Sequence, residues 1–215
     1  MDTRTKYPRT FHLPWSQGAT DDDKVLQSTD HFVGKDIVIT EKADGECATV
    51  YSDGYSHARS IDSKRHVSRD WVRTLAARLS SELPKGWRVC GESMLAQHSI
   101  GYDELPSFFL VFALYDDQNN CLSWDDTAAF AELMGLSMVP VLYRGPWDEA
   151  AVKACMTGVS KLGGAQEGYV ARVSGGFAYE DFASSVAKYV RKGHVAPDTG
   201  HWFQKEMVPN KLKQA

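Results

Sequence analysis

Long apolar runs and closely spaced cysteine pairs are both missing from this 215-residue sequence. No apolar stretch approaches the ~20 residues that a membrane-spanning helix needs, and the N-terminus lacks the apolar core of a secretory signal. The sequence therefore predicts no membrane partner. The four cysteines form neither a CxxC pair nor a zinc-type spacing, so we expect reduced thiols in a cytoplasmic protein. They are Cys47, Cys90, Cys121 and Cys155.

Positive charge is absent from residues 91–132, although this stretch contains eight acidic side chains. Lysine and arginine collect instead at residues 59–73 and in the tail at residues 188–213. The net charge of −4 disfavours nucleic-acid binding by bulk charge, but this asymmetry suits one basic face for a polyanion. Composition alone favours the simpler interpretation of an ordinary solvated surface.

A hydrophobic content of 43% and a charged content of 24% are ordinary for a globular protein of one or two domains. The pattern predicts one mixed α+β domain with mostly antiparallel sheets. A short helix is expected after Thr20 as N-cap, and a longer one at 68–83 with Ser68 as N-cap. Residues 107–117 predict a buried central strand. The other expected elements are strands at 56–61, 87–94, 167–173 and 185–192 and helices at 124–135 and 146–159.

The stretch IVITEKADGECATVY, residues 37–51, contains a lysine directly before an Asp-Gly turn. Asp-Gly between two apolar runs is a common hairpin signal, and Lys42 in such a turn is compatible with a merely solvated side chain. The alternative is that the hairpin presents Lys42 as a nucleophile. A lysine with an ordinary pKa of about 10.4 is protonated at neutral pH, so this role needs burial or nearby positive charge.

Further chemistry-bearing residues follow Lys42 in a fixed order, each near the end of a predicted strand. They are Arg59, Glu92 in CGES, Phe112 in LVFALYD, Glu167 in EGYVAR and Lys188 in AKYVRK. This order resembles the covalent nucleotidyltransferase superfamily of ATP-dependent polynucleotide ligases and mRNA capping enzymes. It is most similar to the RNA ligase family, in particular its compact bacterial and phage members, and the similarity covers almost the whole chain.

The resemblance implies a single adenylyltransferase domain, an ATP-grasp-like ligase fold, that spans residues 1–215. In this interpretation residues 1–35 form an N-terminal segment and residues 193–215 form a C-terminal arm. Most ligases append a C-terminal domain, often an OB fold, and the 23 residues after Lys192 are too few for one. We therefore expect one domain to hold both the nucleotide and the nucleic acid.

The resemblance also implies a role for each matched residue. Lys42 receives AMP from ATP, and Glu41 lies near the edge of the adenine. Arg59 binds phosphate and helps to recruit the 5′-phosphate end, whereas without the family context a surface salt bridge explains it as well. Phe112 stacks on the purine, although an aromatic residue in such a strand usually packs in the core.

Two carboxylates and a second lysine complete the implied site. Glu92 lies close to the ribose and a metal-bound water, and Glu167 helps to hold the divalent metal. Carboxylate, water and phosphate oxygens are the ligands that Mg²⁺ prefers, and Mn²⁺ is the other candidate. Lys188 neutralises the α-phosphate during transfer. Lys42, Glu92, Glu167 and Lys188 are thus the implied catalytic set, and Glu92 and Glu167 the implied metal ligands.

The sequence departs from the family pattern in two places. Many relatives have a second lysine two positions after the first, where this chain has Val190, followed by Arg191 and Lys192. In an extended strand Val190 shares a face with Lys188 and Arg191 points away, unless a bulge intervenes. The second basic contact therefore stays open. Cys47 replaces a polar residue that some RNA ligases have after the nucleophile.

Nucleic acid is the expected partner of a monomeric protein. The basic residues at 64–73 and the tail at 205–213 are candidates for contacting the phosphate backbone, with a modest affinity that falls steeply with salt. The predicted nucleic-acid contacts are Arg59, Lys64, Arg65, Arg191 and Lys192.

The resemblance implies an ATP-dependent ligase that joins 5′-phosphate and 3′-OH ends through a lysyl-AMP intermediate, in a bacterial or phage-infected cell. RNA, DNA and mixed nicks all stay open as substrates, because sugar choice depends on contacts that the sequence does not locate. Two alternatives remain. One is a capping-type guanylyltransferase that takes GTP, and the other is a non-catalytic relative that only binds nucleic acid.

Overall fold

Two β-sheets face each other across a cleft in the computed structural model, which describes residues 4–194 and 207–214. The strands are β1 Phe11–His12, β2 Asp36–Lys42, β3 Glu46–Tyr51, β4 Ser56–Ala58, β5 Arg88–Ser93, β6 Phe109–Tyr115, β7 Asn120–Cys121, β8 Ser137–Met138, β9 Val141–Pro146, β10 Gly168–Val173, β11 Phe177–Ala178 and β12 Val186–Val190. The α-helices are α1 Asp70–Leu79, α2 Trp124–Leu133 and α3 Glu149–Ala154. Single turns of 3₁₀-helix lie at Asp30–Phe32, Val67–Arg69 and Tyr179–Ser184.

The first sheet has the strand order β1-β12-β10-β2-β9, and the second has the order β11-β7-β6-β5-β3-β4 with β8 beside β6. Neighbouring strands are antiparallel except for the pairs β1–β12 and β6–β8. The expectation of an α+β fold with mostly antiparallel sheets is confirmed. None of the helices that the structure describes is long and apolar enough to cross a membrane.

Alternation along β2 shows how the first sheet divides its residues between core and cleft. Ile37 and Ile39 are fully buried in a core cluster that also contains Val152 of α3. Thr40 and Lys42, two residues apart, both line the cleft. Because side chains alternate across a strand, burying the isoleucines on one face directs Lys42 to the other. On the second sheet, α1 and α2 pack against β3 and β6.

The hairpin expected around Lys42 is wrong. β2 pairs with β10 and β9, whereas β3 pairs with β5 and β4, so the turn at residues 43–45 links the two sheets. Asp-Gly is only a local signal, and pairing across it requires the two strands to belong to one sheet. Each strand instead buries its apolar residues in a different core cluster. The lysine therefore stands where the sheets meet.

The helix expected after Thr20 is also wrong, since residues 21–23 form turns. Asp23 Oδ2 accepts hydrogen bonds from the backbone N–H and the hydroxyl of Thr20, at 3.2 and 3.0 Å. Thr20 therefore donates hydrogen bonds to Asp23, whereas an N-cap side chain accepts hydrogen bonds from backbone N–H groups. Asp21 and Asp22 are exposed and offer no apolar face for packing, which most helices of this size need.

The other helices form, but with shifted bounds. Ser68 does not cap α1, because it lies inside the preceding 3₁₀ turn and donates its backbone N–H to His66 Nδ1. Asp148 caps α3 by accepting from two backbone N–H groups, so the helix starts after it and spans six residues. Residues 141–146 form β9, which the sequence pattern did not indicate.

The expected C-terminal arm lies partly outside the described residues, and its end is docked rather than free. Asn210 is 3% exposed. Its amide N–H donates to the carbonyls of Met94 and Ala96, at 2.7 and 3.4 Å, and its amide oxygen accepts from the Tyr102 backbone N–H at 2.8 Å. Backbone hydrogen bonds from residues 208–213 to the segment 95–105 continue this contact. Lys205 of the expected basic tail lies outside the described residues, whereas Lys211 and Lys213 are exposed.

Candidate active site

A cavity of about 600 Å³ lies between the two sheets and contains most of the residues that the sequence selected. The predicted residues along its walls are Glu41, Lys42, Arg59, Glu92, Phe112 and Lys188. They come from strands β2, β5, β6 and β12 and from the segment that follows β4. The cavity therefore exists only because both sheets have formed.

Strand register brings Glu167 next to Lys42. Lys42 is opposite Gly168 in the β2–β10 ladder, so the residue directly before β10 lies beside the lysine. Lys42 Nζ is 2.6 Å from Glu167 Oε1. Glu167 is only 3% exposed, whereas the Lys42 side chain is 25% exposed toward the cleft.

Glu92 reaches the same site from the second sheet through Gly45. The Gly45 backbone N–H donates to Glu92 Oε1 at 3.2 Å. A Cβ at this position would lie 2.5 Å from the Ser93 carbonyl oxygen. Glycine is therefore required for the turn to approach β5 this closely.

The charges around Lys42 favour its protonated form. Burial lowers the pKa of Lys42, but the Glu167 and Glu92 carboxylates raise it more, so its pKa lies above the ordinary value. Burial raises the pKa of Glu167, against the effect of Lys42. Burial also raises the pKa of Glu92, to about 8. Burial thus acts in the direction that a nucleophilic lysine needs, but in the protein alone the carboxylates outweigh it.

Lys188 faces the cleft from β12 and contacts the N-terminal segment. Burial and the nearby charge of Lys42 lower the pKa of Lys188. Lys188 Nζ lies 3.9 Å from Asp23 Oδ1. Burial alone would raise the pKa of Asp23, but hydrogen bonds from Thr20 and the Lys188 charge contribute to lowering it to about 2. Asp23 thus stays ionised beside Lys188.

Val190 occupies the position of the missing second lysine and is 6% exposed. It is opposite Gly168 in a β10–β12 ladder without a bulge, as regular alternation requires. Its backbone N–H donates to Ser16 Oγ at 3.0 Å, and its side chain packs on Gly18. The N-terminal segment therefore covers the place where a second cation would emerge.

The Glu41 side chain lies on the face of β2 opposite Lys42, where hydrogen bonds hold its carboxylate. Its carboxylate accepts hydrogen bonds from the Ser160 hydroxyl and, at 2.8 Å, from the Lys161 backbone N–H. Burial raises the pKa of Glu41, and these two hydrogen bonds oppose the change. Each carboxylate oxygen therefore accepts one hydrogen bond from the segment at residues 160–161, and the Glu41 backbone N–H donates to the Pro140 carbonyl at 2.8 Å.

Aromatic side chains surround Arg172 at another part of the cleft wall. The Phe112 ring lies 4.9 Å from the Tyr7 ring, edge to face. The Arg172 guanidinium donates to the Phe112 carbonyl at 3.4 Å and lies 5.6 and 5.5 Å from the rings of Trp124 and Phe177. A planar, electron-rich ligand fits such a wall of aromatic rings and cation.

The predicted nucleic-acid residues fall into two groups. Arg59 is exposed on the wall of the cleft, and Lys64 and Arg65 line a neighbouring cavity of about 740 Å³. The two cavities share wall residues, namely Glu46, Ala58, Ser63 and Arg69. Arg191 and Lys192 line neither cavity, although the Arg191 backbone N–H donates to the Glu167 carbonyl at 3.0 Å.

A family model described as RNA ligase matches residues 35–190, which is most of the chain and includes each strand end described above from Lys42 to Val190. The chain belongs to the RNA ligase family. Curated protein sequences provide no match.

Solved structures of Naegleria gruberi RNA ligase share the fold of this RNA ligase family member. A variant with ATP and Mn matches with a TM-score of 0.55 at 15% identity, and the match covers 88% of this chain and 63% of the relative's chain. The structure with pyrophosphate has a TM-score of 0.55 at 15% identity, with 88% and 61% covered. A variant with AMP and Mn also has a TM-score of 0.55 at 15% identity, with 88% and 62% covered. This chain therefore spans about three-fifths of the length of those proteins.

Asp44 and His194 belong to the site of this family member, and the sequence interpretation gave neither a role. Asp44 lies within the Lys-x-Asp-Gly motif, so its position in the sequence already offered a signal. Asp44 Oδ2 accepts from the backbone N–H groups of Ser99 and Ile100 at 2.7 and 2.8 Å. His194 follows the last strand without any informative spacing, and only the tertiary structure brings it to Asp44 and Glu167.

The residues beside Lys42 fit a divalent metal. Asp44, Glu167 and His194 each offer a ligand atom, and these atoms lie within 4.8 Å of one another. Glu167 Oε2 is buried and has no hydrogen-bond partner among the described residues. A cation would satisfy this oxygen, which is costly to bury alone. Glu92, the other predicted metal ligand, lies outside this group and keeps its role as a prediction.

Proposed function

We propose that this protein is an ATP-dependent polynucleotide ligase that joins 5′-phosphate and 3′-OH ends through AMP bound covalently to Lys42. The observation that carries the proposal is the convergence of Lys42, Glu167, Glu92 and Lys188 on one cleft, in a member of the RNA ligase family. The Naegleria gruberi relatives with ATP, AMP and Mn support ATP and a divalent cation, Mg²⁺ or Mn²⁺, as its cofactors.

In the first step, the Lys42 amine attacks the α-phosphorus of ATP, forming a P–N bond as the bond to pyrophosphate breaks. Lys42 must lose a proton first, and the Glu167 and Glu92 carboxylates oppose this loss. A divalent cation bound at Glu167 would weaken that ion pair and lower the pKa of Lys42. Lys188, whose pKa is already lowered by burial, supplies positive charge for the α-phosphate.

The nucleotide would lie along the cleft, with its phosphates toward Lys42 and Lys188. Phe112 offers a ring for the purine to stack on, and Glu41, which lines the same cavity, is the proposed neighbour of the adenine edge. In the second step AMP moves to a 5′-phosphate, for which exposed Arg59 is the proposed partner. In the third step a 3′-OH attacks and AMP leaves. The cavity lined by Lys64 and Arg65 gives the strand a path away from the reacting end.

Intact-mass spectrometry after incubation with ATP and Mg²⁺ or Mn²⁺ tests the first step. We expect a gain of one AMP, lost in Lys42→Arg and kept in Lys35→Arg, which changes an exposed lysine just before β2. No adduct in the wild type, or an unchanged adduct in Lys42→Arg, contradicts the proposal. An adduct from GTP rather than ATP would instead indicate a capping-type guanylyltransferase.

A sealing panel of nicked duplexes and single strands, in all-RNA, all-DNA and mixed forms, tests the later steps. We propose that nicked ends containing RNA are sealed, by a monomer acting in the cytoplasm of a bacterial or phage-infected cell. Binding without sealing of any substrate would favour a non-catalytic role. Size-exclusion chromatography with light scattering checks the monomer.

A further inference from the structure

His194 lies four residues beyond β12, and its side chain is 8% exposed. Its Nε2 atom is 3.2 Å from Asp44 Oδ1 and 3.3 Å from Glu167 Oε1. One nitrogen thus contacts two carboxylates that come from different parts of the chain. The two distances are close to the separation of about 3 Å expected between neighbouring ligands of one cation with metal–ligand distances of about 2.1–2.3 Å.

Asp44 is oriented for such a contact before anything binds. Two backbone N–H groups, from Ser99 and Ile100, hold its Oδ2 atom, which leaves Oδ1 toward His194. Hydrogen bonds of this kind fix a ligating carboxylate in place. Asp44 is therefore an oxygen donor whose orientation is fixed beside His194.

Two buried atoms of the same group lack hydrogen-bond partners in the part of the chain that the structure describes. They are Glu167 Oε2 and His194 Nδ1. A single Nε2–H donates well to only one of the two carboxylates, so hydrogen bonding leaves the cluster incompletely satisfied. Lys42 already contacts Glu167 Oε1 at 2.6 Å, and a cation shared by the two carboxylates and a neutral imidazole would supply the partner that Glu167 Oε2 lacks.

The donor set also favours one class of cation. Mg²⁺ binds through oxygen and keeps much of its water, whereas imidazole nitrogen is a common ligand for the transition metals. Mn²⁺ accepts both carboxylate oxygen and nitrogen, so one histidine in an otherwise acidic site raises the affinity for Mn²⁺ relative to Mg²⁺.

We propose that His194 is a direct ligand of a divalent cation, together with Asp44 and Glu167, and that its nitrogen makes the site prefer Mn²⁺ to Mg²⁺. This goes beyond the Glu92–Glu167 pair that the sequence suggested. The use of the cation in ligation rests on the proposed function, whereas the binding of the cation does not.

Mn²⁺ binding measured by electron paramagnetic resonance, with Mg²⁺ as competitor, tests the proposal without ATP or nucleic acid. We expect His194→Ala to weaken Mn²⁺ binding tenfold or more and Mg²⁺ binding by less than threefold. His31→Ala is the control, because His31 packs on Phe32 and lines neither cavity. Unchanged Mn²⁺ binding in His194→Ala overturns the proposal, and an equal loss of both cations overturns the preference.

A second measurement avoids dependence on the folding of the variant. In wild-type protein with ¹⁵N-labelled histidine, substoichiometric Mn²⁺ should broaden the His194 ring resonances selectively. A His194 signal that is no broader than that of His31 overturns direct ligation. Normal Mn²⁺ binding in a protein that forms no AMP adduct would contradict the proposed ligase function and leave the metal site standing.

Discussion

Burial and the nearby carboxylates shift the pKa of Lys42 in opposite directions. Burial favours the neutral amine, while Glu167, at 2.6 Å, and Glu92 favour the ammonium, and the carboxylates prevail. A solvated lysine at a turn would show neither effect. Lys42 therefore rests in an ion pair with Glu167. Under the proposed function, ligand binding has to weaken this pair before the amine can attack.

Glu167→Gln should lower the pKa of Lys42, because it removes the main carboxylate that raises it. NMR titration of the Lys42 side chain in the presence of a chelator measures this change. Glu149→Gln is the control, since it breaks an exposed ion pair with Lys153 on α3. A Lys42 pKa that is the same in Glu167→Gln as in the wild type would contradict the assigned cause.

The raised pKa of Lys42 also predicts how the stability of the fold depends on pH. The raised pKa of Lys42 contributes stability that is fully present below the unfolded value of about 10.4 and is lost as pH rises through the folded pKa. Any stability difference between wild type and Glu167→Gln that arises from this ion pair should therefore shrink at high alkaline pH. Chemical denaturation at neutral and alkaline pH measures it.

At the scale of elements, an unusually close backbone contact joins β10 and β12, the strands that position two of the proposed catalytic groups. A Cβ at Gly168 would lie 1.9 Å from the Tyr189 carbonyl oxygen, so only glycine fits between the strands without movement. Gly168 follows Glu167, and Tyr189 follows Lys188. A shift of this ladder would displace two of the four proposed catalytic residues.

Gly168→Ala should destabilise the fold by about 1–3 kcal/mol and reduce AMP-adduct formation, because the added methyl group forces β10 and β12 apart. Gly175→Ala is the matched control, since nothing lies within 4 Å of its added Cβ, and it should change stability by less than about 0.5 kcal/mol. Thermal unfolding and the adduct assay measure both variants. Equal unfolding temperatures for the two variants would refute the close-packing argument.

At the scale of the whole molecule, the cleft and the neighbouring cavity form one continuous surface through their shared residues. The Arg69 guanidinium joins them, since it bonds both oxygens of the Glu46 carboxylate. Lys64 and Arg65 lie beyond this pair and are exposed. Under the proposed function, a nucleic-acid strand whose end reaches Lys42 would continue along residues 63–73.

Lys64→Ala/Arg65→Ala should weaken RNA binding while leaving the AMP adduct unchanged, because both side chains lie outside the nucleotide cleft. The slope of log K against log salt concentration should fall in magnitude by about 0.7–0.9 for each phosphate that the variant no longer neutralises. Lys213→Ala, which removes an exposed cation from the docked C-terminal segment, is the comparison. A salt slope that stays at the wild-type value would remove this surface from the nucleic-acid path.

Local patterns in the sequence determined much of the fold and the candidate residues. Apolar runs located β5, β6, β10 and β12, and helical spacing located α1 and α2. The ordered motifs selected residues from Glu41 to Lys188, and six of the selected positions line the cleft. These features depend on neighbours in the chain, which a sequence shows directly.

Only the tertiary structure decided which groups meet. It separated β2 from β3, although Asp-Gly suggested a hairpin, because each strand buries its apolar face in a different core. It turned Asp23 toward Lys188 and brought His194 to Asp44 and Glu167. It also placed the Glu167 and Glu92 carboxylates where they outweigh the effect of burial on the pKa of Lys42. A pKa, like a metal site, depends on through-space distances between residues far apart in the chain, and sequence spacing carries no record of those distances.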